Sequence, residues 1–348
     1  MEFLSDYGLF LAKSVTFVLT VIITLLAVIA LTAKQKSKKG ELELIDLSEQ
    51  LEETKNTIEE QLLTAQQLKL RHKEAKKAQK EKDKLAKQAL KDGKQSDGLP
   101  QLYVVDFKGS IDAKEVASLR EEITAILSVA SEKDEVFVRL ESGGGMVHGY
   151  GLAASQLQRI KDRNIPLTIA VDKVAASGGY MMACIADKII AAPFAILGSI
   201  GVIAQIPNFN RLLKKHDIEF EQLTAGEYKR TLTMFGENDQ QGRDKFKQEL
   251  QETHELFKQF VSEHRSQVEI DKVATGEHWY GLQAIERQLV DQISTSDDYL
   301  VAQLPERHIV QIKYTKRKKI TDKFAQAASV ALEKSVFKLL QLNSHRLF

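Results

Sequence analysis

Ser177 has the residue type and setting of a nucleophile. It stands in VDKVAASGGYMMACIAD (171–187), after the apolar run PLTIAV and at the start of an apolar, helix-like segment. A hydroxyl at a helix N-terminus faces backbone N–H groups and the positive end of the macrodipole, which stabilise developing negative charge. The small neighbours Ala175, Ala176, Gly178 and Gly179 keep the turn tight and the hydroxyl accessible. The competing reading is an ordinary serine N-cap. A second cluster, ESGGGMVHGYG (141–151), follows the run EVFVRL. Three consecutive glycines at a strand end permit positive φ and close backbone approach. Their N–H groups can hold an anion or an oxyanion; a plain tight turn is the alternative. The spacing is not G-x-G-x-x-G, and no Gly-Lys-Ser/Thr follows, so nucleotide-phosphate loops are excluded.

A serine nucleophile needs a base. Histidine oriented by a carboxylate is the usual partner, and His148 lies just past the glycines. Lysine serves instead when burial disfavours its ammonium form. Lys229 is the candidate, within AGEYKRTLTMFG (225–236) and 52 residues after Ser177. Taken alone, that segment reads as a solvated charge cluster. Ser335-Val336-Phe337-Lys338 matches S-x-x-K, but no S-D-N or K-T-G accompanies it, so the match is chance.

These residues need a scaffold. From residue 100 to 302, short β-branched runs (LYVVDF, EVFVRLE, PLTIAVD, KIIAAP) alternate with helix-like segments such as AKEVASLREEITAILSVA. That alternation predicts an α/β domain of βαβ units. A flank, 1–13, precedes SVTFVLTVIITLLAVIALTA (14–33), 20 residues without charge, Pro or Gly. At about 1.5 Å per residue this run matches a bilayer core of roughly 30 Å and predicts one transmembrane anchor. Its length, and Glu2 and Asp6 before it, argue against a cleaved signal peptide. Lys34, Lys36, Lys38 and Lys39 after the span, against Lys13 before it, place the bulk of the chain on the cytoplasmic side.

Residues 34–99 read as a charged helical spacer and linker. From 41 to 60 there are eight acidic residues and one basic; from 69 to 94 there are eleven basic and four acidic. Good helix formers dominate, and the apolar positions are only loosely heptad-like. Residues 303–348 read as a basic, partly amphipathic C-terminal tail that lies on a membrane, packs on a neighbour or stays free. IIAAPFAILGSIGVIAQIP (189–207) scores as a second span, but parallel core strands are also continuously apolar, and it reads as domain core. With 43% hydrophobic residues the chain is not a disordered one, and a net charge of +1 excludes a nucleic-acid-coating protein. The single cysteine, Cys184, excludes an internal disulfide and a thiolate zinc cluster.

In order along the chain stand an S-P-G-G-like loop (142–145), A-S-G-G-Y (176–180), G-S-I-G-V (198–202), G-x-Y-K (226–229) and W-x-G-x-Q-A (279–284). This order, with the anchor and charged N-terminal region, resembles the signal peptide peptidase A family of membrane serine proteases over nearly the whole chain. The resemblance implies a ClpP/crotonase-like spiral fold and a Ser–Lys dyad, with Ser177 as nucleophile and Lys229 as general base. It implies that Ser199 orients the Lys229 amine. It implies an oxyanion hole of the Gly178 N–H with that of Gly145, Gly144 being the alternative. Gly143 departs from the family's proline, which loosens the loop. The resemblance further implies a ring or dome homo-oligomer whose subunits share active sites, and a bacterial inner-membrane location. Membrane-derived or unfolded peptides, including signal-peptide remnants, would be substrates, and no cofactor or metal is required. Two rivals keep the fold: a non-catalytic membrane scaffold or chaperone, and a crotonase-like acyl-CoA enzyme that would need neither anchor nor Ser177.

Overall fold

The β-branched runs become strands in a computed structural model, which describes residues 7–18, 20, 21, 40–64, 66–71, 73, 76, 77, 80, 84 and 99–315. The strands are β1 (Glu41–Asp46), β2 (Gln101–Lys108), β3 (Glu135–Glu141), β4 (Leu167–Val171), β5 (Val174–Ala176), β6 (Lys188–Ala191), β7 (Ile196–Gly198), β8 (His278–Tyr280), β9 (Gln292–Ile293) and β10 (His308–Thr315). The helices are α1 (Leu47–Leu62), α2 (Val116–Leu127), α3 (Val147–Lys161), α4 (Gly178–Ala183), α5 (Asn210–Lys215), α6 (Gln240–His264), α7 (Ile270–Val273), α8 (Gly281–Glu286) and α9 (Ser296–Gln303).

Seven strands form one sheet in the order β1-β10-β2-β3-β4-β6-β9, and three form another in the order β5-β7-β8. From β10 to β9 every pairing in the large sheet is parallel. Such strands are covered on both faces, which is why β4, LTIAV, is buried at every residue. α2 turns Leu119, Ile123 and Ile126 inward and α3 turns Ala153, Leu157 and Ile160 inward, both at helical spacing. This parallel-rich α/β arrangement fits a ClpP-like fold.

The two ends of the large sheet are built differently. At the strand starts, aspartates accept the first N–H groups: Gln101 N–H donates to Asp134 at 2.7 Å, Leu167 N–H to Asp187 at 2.9 Å and Ile189 N–H to Asp291 at 2.7 Å. Asp291 is held in turn by a bidentate bond from buried Arg265. The carboxyl ends carry the glycine loop and the turn into β5, the end at which open α/β sheets place their ligands.

Three expectations change. Residues 41–46 form an edge strand rather than spacer helix; α1 begins only at Leu47, where the Asp46 side chain caps it. The sheet does not stop at 302, because 308–315, expected in the tail, lies in it as β10 beside β2. Residues 189–207, read as domain core and not as a span, are core only in part: β6 and β7 enter it, whereas 203–207 are exposed, Ile203 to 79%. Leu42–Thr315 form one compact unit. Before that unit, residues 7–18, 20 and 21 are helical. Among the described residues no helix is long and apolar enough to cross a membrane. Most of the expected anchor (19 and 22–33) and residues 316–348 of the expected tail lie outside the described residues.

Candidate active site

β3 delivers the glycine loop. After Glu141 the chain makes a single parallel bridge, Ser142 to Ala175 of β5. Ser142 N–H donates to Val174 O at 2.8 Å, and Ala176 N–H donates to Ser142 O at 3.0 Å. β5 also pairs with β7, Ala176 opposite Gly198. Three segments, 142–145, 176–179 and 198–200, are thereby fastened at one point.

Ser177 sits there with φ 51° and ψ −120°, a backbone conformation that costs a non-glycine residue of the order of 1–3 kcal/mol. Its N–H donates to Gly198 O at 2.8 Å, and α4 starts at the next residue. Its side chain makes no capping hydrogen bond, so it is not an ordinary N-cap serine. The half-buried hydroxyl has no hydrogen-bond partner among the described residues.

The glycines divide the work. Gly144 has φ +86°, and a Cβ there would lie 2.7 Å from Gly178 N and 2.8 Å from Ser177 Cβ. Only glycine brings the loop this close to Ser177. The Gly144 N–H is already spent, donating to Ser142 Oγ at 3.1 Å. The N–H groups of Gly145 and Gly178 have no partner among the described residues. Gly145 is exposed and Gly178 is buried. Two unspent donors thus lie close by: the Gly178 N–H directly after Ser177 in the chain, and the Gly145 N–H one residue past Gly144, which packs on Ser177.

Ser199 follows Gly198 into the same place. It has φ 50°, and its N–H donates to Glu277 O at 2.7 Å. Gly198, with φ +92°, lies against Trp279 of β8, and Arg287 stacks on that indole at 3.9 Å from its centroid. His254 of α6 meets Ile200 O at 3.2 Å. Ser177, Ser199, Gly178, Gly144 and Gly145 are therefore brought together.

Lys229 is not tied to them within one chain. It lies in an exposed segment, 221–230, and its Nζ makes no hydrogen bond or ion pair among the described residues. The surrounding loop is closed by Asn208, whose Nδ2 donates to Thr233 O at 2.9 Å and Gly236 O at 3.0 Å. Phe209, Phe220 and Phe235 cluster beside it, each about 40% exposed. His148, the other candidate base, is exposed at the start of α3. Cys184 and Tyr180 are fully buried, and burial pushes both their acidic groups upward, so neither is a nucleophile; Tyr180 donates to Leu289 O at 2.9 Å as a core residue. Met181 is likewise core. Among the described residues no group of three or more His, Cys, Asp or Glu could hold a metal ion.

One contributor, Tyr150, carried no signal of its own, and Ser142 only that of the loop it opens. Ser142 and Tyr150 are buried beneath the loop, their hydroxyls 2.5 Å apart. A tyrosine eight residues after a serine has no motif to announce it; only the turn from β3 into α3 brings the two together.

The chain is similar to known proteins over most of its length. The description "Peptidase family S49 N-terminal" matches residues 2–157, and "Peptidase family S49" matches residues 159–308. The chain is 52% identical over 329 residues to "Probable protease SohB" of Haemophilus influenzae, covering 94% of this chain and 93% of that one. It is 48% identical over 339 residues to "Probable protease SohB" of Buchnera aphidicola subsp. Acyrthosiphon pisum, covering 97% and 98%. A more distant relative is "Protease 4" of Haemophilus influenzae, 27% identical over 206 residues, or 57% of this chain and 33% of the relative.

Proposed function

The chain belongs to peptidase family S49, and on that premise we propose that it is a membrane-anchored serine endopeptidase with Ser177 as nucleophile and Lys229 as general base. The observation that carries this reading is the partnerless Ser177 hydroxyl held at positive φ, with the unspent Gly178 N–H next to it in the chain and Gly144, the residue before the unspent Gly145 N–H, packed on it. The Lys229 amine takes the Ser177 proton as Oγ attacks the peptide carbonyl. The oxyanion is received by the two N–H groups, each worth on the order of 3 kcal/mol. The ammonium then protonates the leaving amine, and the amine so regenerated activates water to release the acyl group. Ser199 orients the amine.

A lysine serves as base only when it is desolvated. Residues 221–230 are exposed in the single chain, so the cover comes from a second subunit, from bound peptide or from both, in keeping with a homo-oligomer. The exposed side chains of Ile218, Phe220, Leu223 and Tyr228 suit such a contact. The uncharged run 14–33 supports attachment to a bacterial inner membrane, and the lysines after it support a cytoplasmic domain. Substrates are membrane-derived or unfolded peptides, including signal-peptide remnants.

Hydrolysis of casein and of a synthetic signal peptide by the purified full chain, by Ser177→Ala and by Lys229→Ala tests the reading. Both variants should be inactive. Undiminished hydrolysis by both would overturn the dyad, and an inert parent protein would favour the scaffold.

A further inference from the structure

Three adjacent glycines should not hold a shape. Each loses more backbone freedom on ordering than any other residue, and Gly143 is exposed with nothing within 4 Å of a Cβ position. Yet the Gly145 N–H must stay aimed beside Ser177 for the loop to stabilise an oxyanion. Something other than the loop's own backbone preference keeps it there.

Past Gly145, Ile111 holds the chain: its O accepts the Met146 N–H at 2.8 Å, and a Cβ on Gly145 would lie 2.1 Å from that O. Before Gly145, a chain of hydrogen bonds beneath the loop holds it. The Gly144 N–H donates to Ser142 Oγ at 3.1 Å. The Ser142 and Tyr150 hydroxyls are 2.5 Å apart, and Tyr150 Oη donates to Ser110 O at 2.9 Å. With the tyrosine proton committed to that carbonyl, the serine must donate to the phenol oxygen, which leaves a serine lone pair for Gly144. Every proton in the chain then has one direction. Tyr150 is fully buried and Ser142 is 2% exposed, so no solvent competes. Burial pushes the Tyr150 phenol above its ordinary range, which keeps it a donor.

The same tyrosine also touches the other half of the hole. A Cβ on Gly178 would lie 2.4 Å from Tyr150 Cγ, so the ring is seated directly under the backbone that carries the second donor. Phe107 meets the ring edge-on with centroids 6.5 Å apart, which holds it in the core. One side chain therefore touches both walls: its ring supports Gly178, and its hydroxyl, through Ser142, pins Gly144, the residue before Gly145.

We infer that Tyr150, acting through Ser142, is a positioning residue for the oxyanion hole, holding the Gly145 and Gly178 N–H groups in register with Ser177. The inference rests on the serine-peptidase reading above. It assigns the placement of Gly144, on the side of the loop that Ile111 does not hold, to a fully buried side chain in α3, outside the loop.

The test compares the full-length parent with Tyr150→Phe, Ser142→Ala and the double variant, using a chromogenic peptide, a peptide boronate and hydrogen exchange of the intact proteins. Tyr150→Phe keeps the ring and removes the hydroxyl. Loosening a donor costs less than the 10²–10³-fold of losing one, so kcat should fall about 10- to 100-fold in each single variant, with KM within about twofold. The boronate, whose tetrahedral adduct places an oxygen in the hole, should weaken by the same factor as kcat. The double variant should be within about threefold of the worse single, because the two act as one unit. Amide exchange should quicken over 142–146 and remain as in the parent over 135–140. Unchanged kcat and exchange in folded variants would overturn the inference. So would losses that multiply in the double variant, or quickened exchange throughout the domain. An inert parent would overturn the peptidase reading instead, and the exchange pattern would then decide the loop lock by itself.

Discussion

The two halves of the proposed dyad are built in opposite ways. Ser177 is fastened by backbone bonds to Gly198, by the bridge between Ser142 and β5, and by a glycine loop with no room for a Cβ at Gly144. Lys229 rides on a segment, 201–235, with no buried residue and with apolar side chains facing outward. The nucleophile is positioned by the chain's own core. The base has a place along the chain but no environment until something covers it. A hydroxyl needs exact alignment and tolerates water, whereas an amine needs water removed, so one is suited to a rigid strand end and the other to a surface that closes on assembly.

The sharpest way to break this contrast is to remove each half. Ser177→Ala and Lys229→Ala should each lower kcat/KM by roughly 10³-fold or more, measured as initial rates on casein. If the base comes from a neighbouring subunit, mixing the two inactive proteins should restore part of the activity, and each alone should stay inert at every concentration. Gly144→Ala should abolish activity and destabilise the domain by about 2–4 kcal/mol, read from urea unfolding. It imposes both positive φ and a clash with Gly178 N and Ala176 O. Away from the site, Glu122 sharpens the contrast on the rigid side. It is buried and accepts from Tyr314 N–H at 2.8 Å, and burial raises its pKa from 4.5 to about 7. The folded state thus binds this proton more tightly than the unfolded state does. Stability should fall as pH rises from about 4.5 to 7 and level off above. Glu122→Gln should flatten that slope, gaining up to about 3 kcal/mol at pH 8 and nothing near pH 4. The smallest effect belongs to the loose side: Asn208→Ala removes two bonds that close the Lys229 loop and should cost about 1–2 kcal/mol of local stability, seen as faster proteolysis within 208–239.

What was readable in the sequence follows from range. The strands β2, β3, β4 and β6 announce themselves as β-branched runs, and Ser177 and the glycines as small-residue clusters at their ends. β1 was hidden because ELELID sits in an acid-rich, helix-forming stretch; its period-2 alternation matters only beside β10, some 260 residues away. β10 was hidden because IVQIKYT runs into lysines and arginine and reads as the start of a tail. That Ser199 stands beside Ser177 depends on the pairing of β5 with β7, and local pattern does not encode pairing. Tyr150 looks like one more apolar residue of α3 until the turn after β3 places its hydroxyl on Ser142.

β10 occupies the slot between β1 and β2, and His308 and Ile309 reach Asp46 and Ser48 across it. During synthesis the earliest strand of this sheet therefore waits, without its partner, until almost everything else has left the ribosome. The last strand to emerge is a wedge rather than an edge. Folding of the domain closes from both ends of the polypeptide at once, and a chain stopped short of His308 would release its beginning as well as its end.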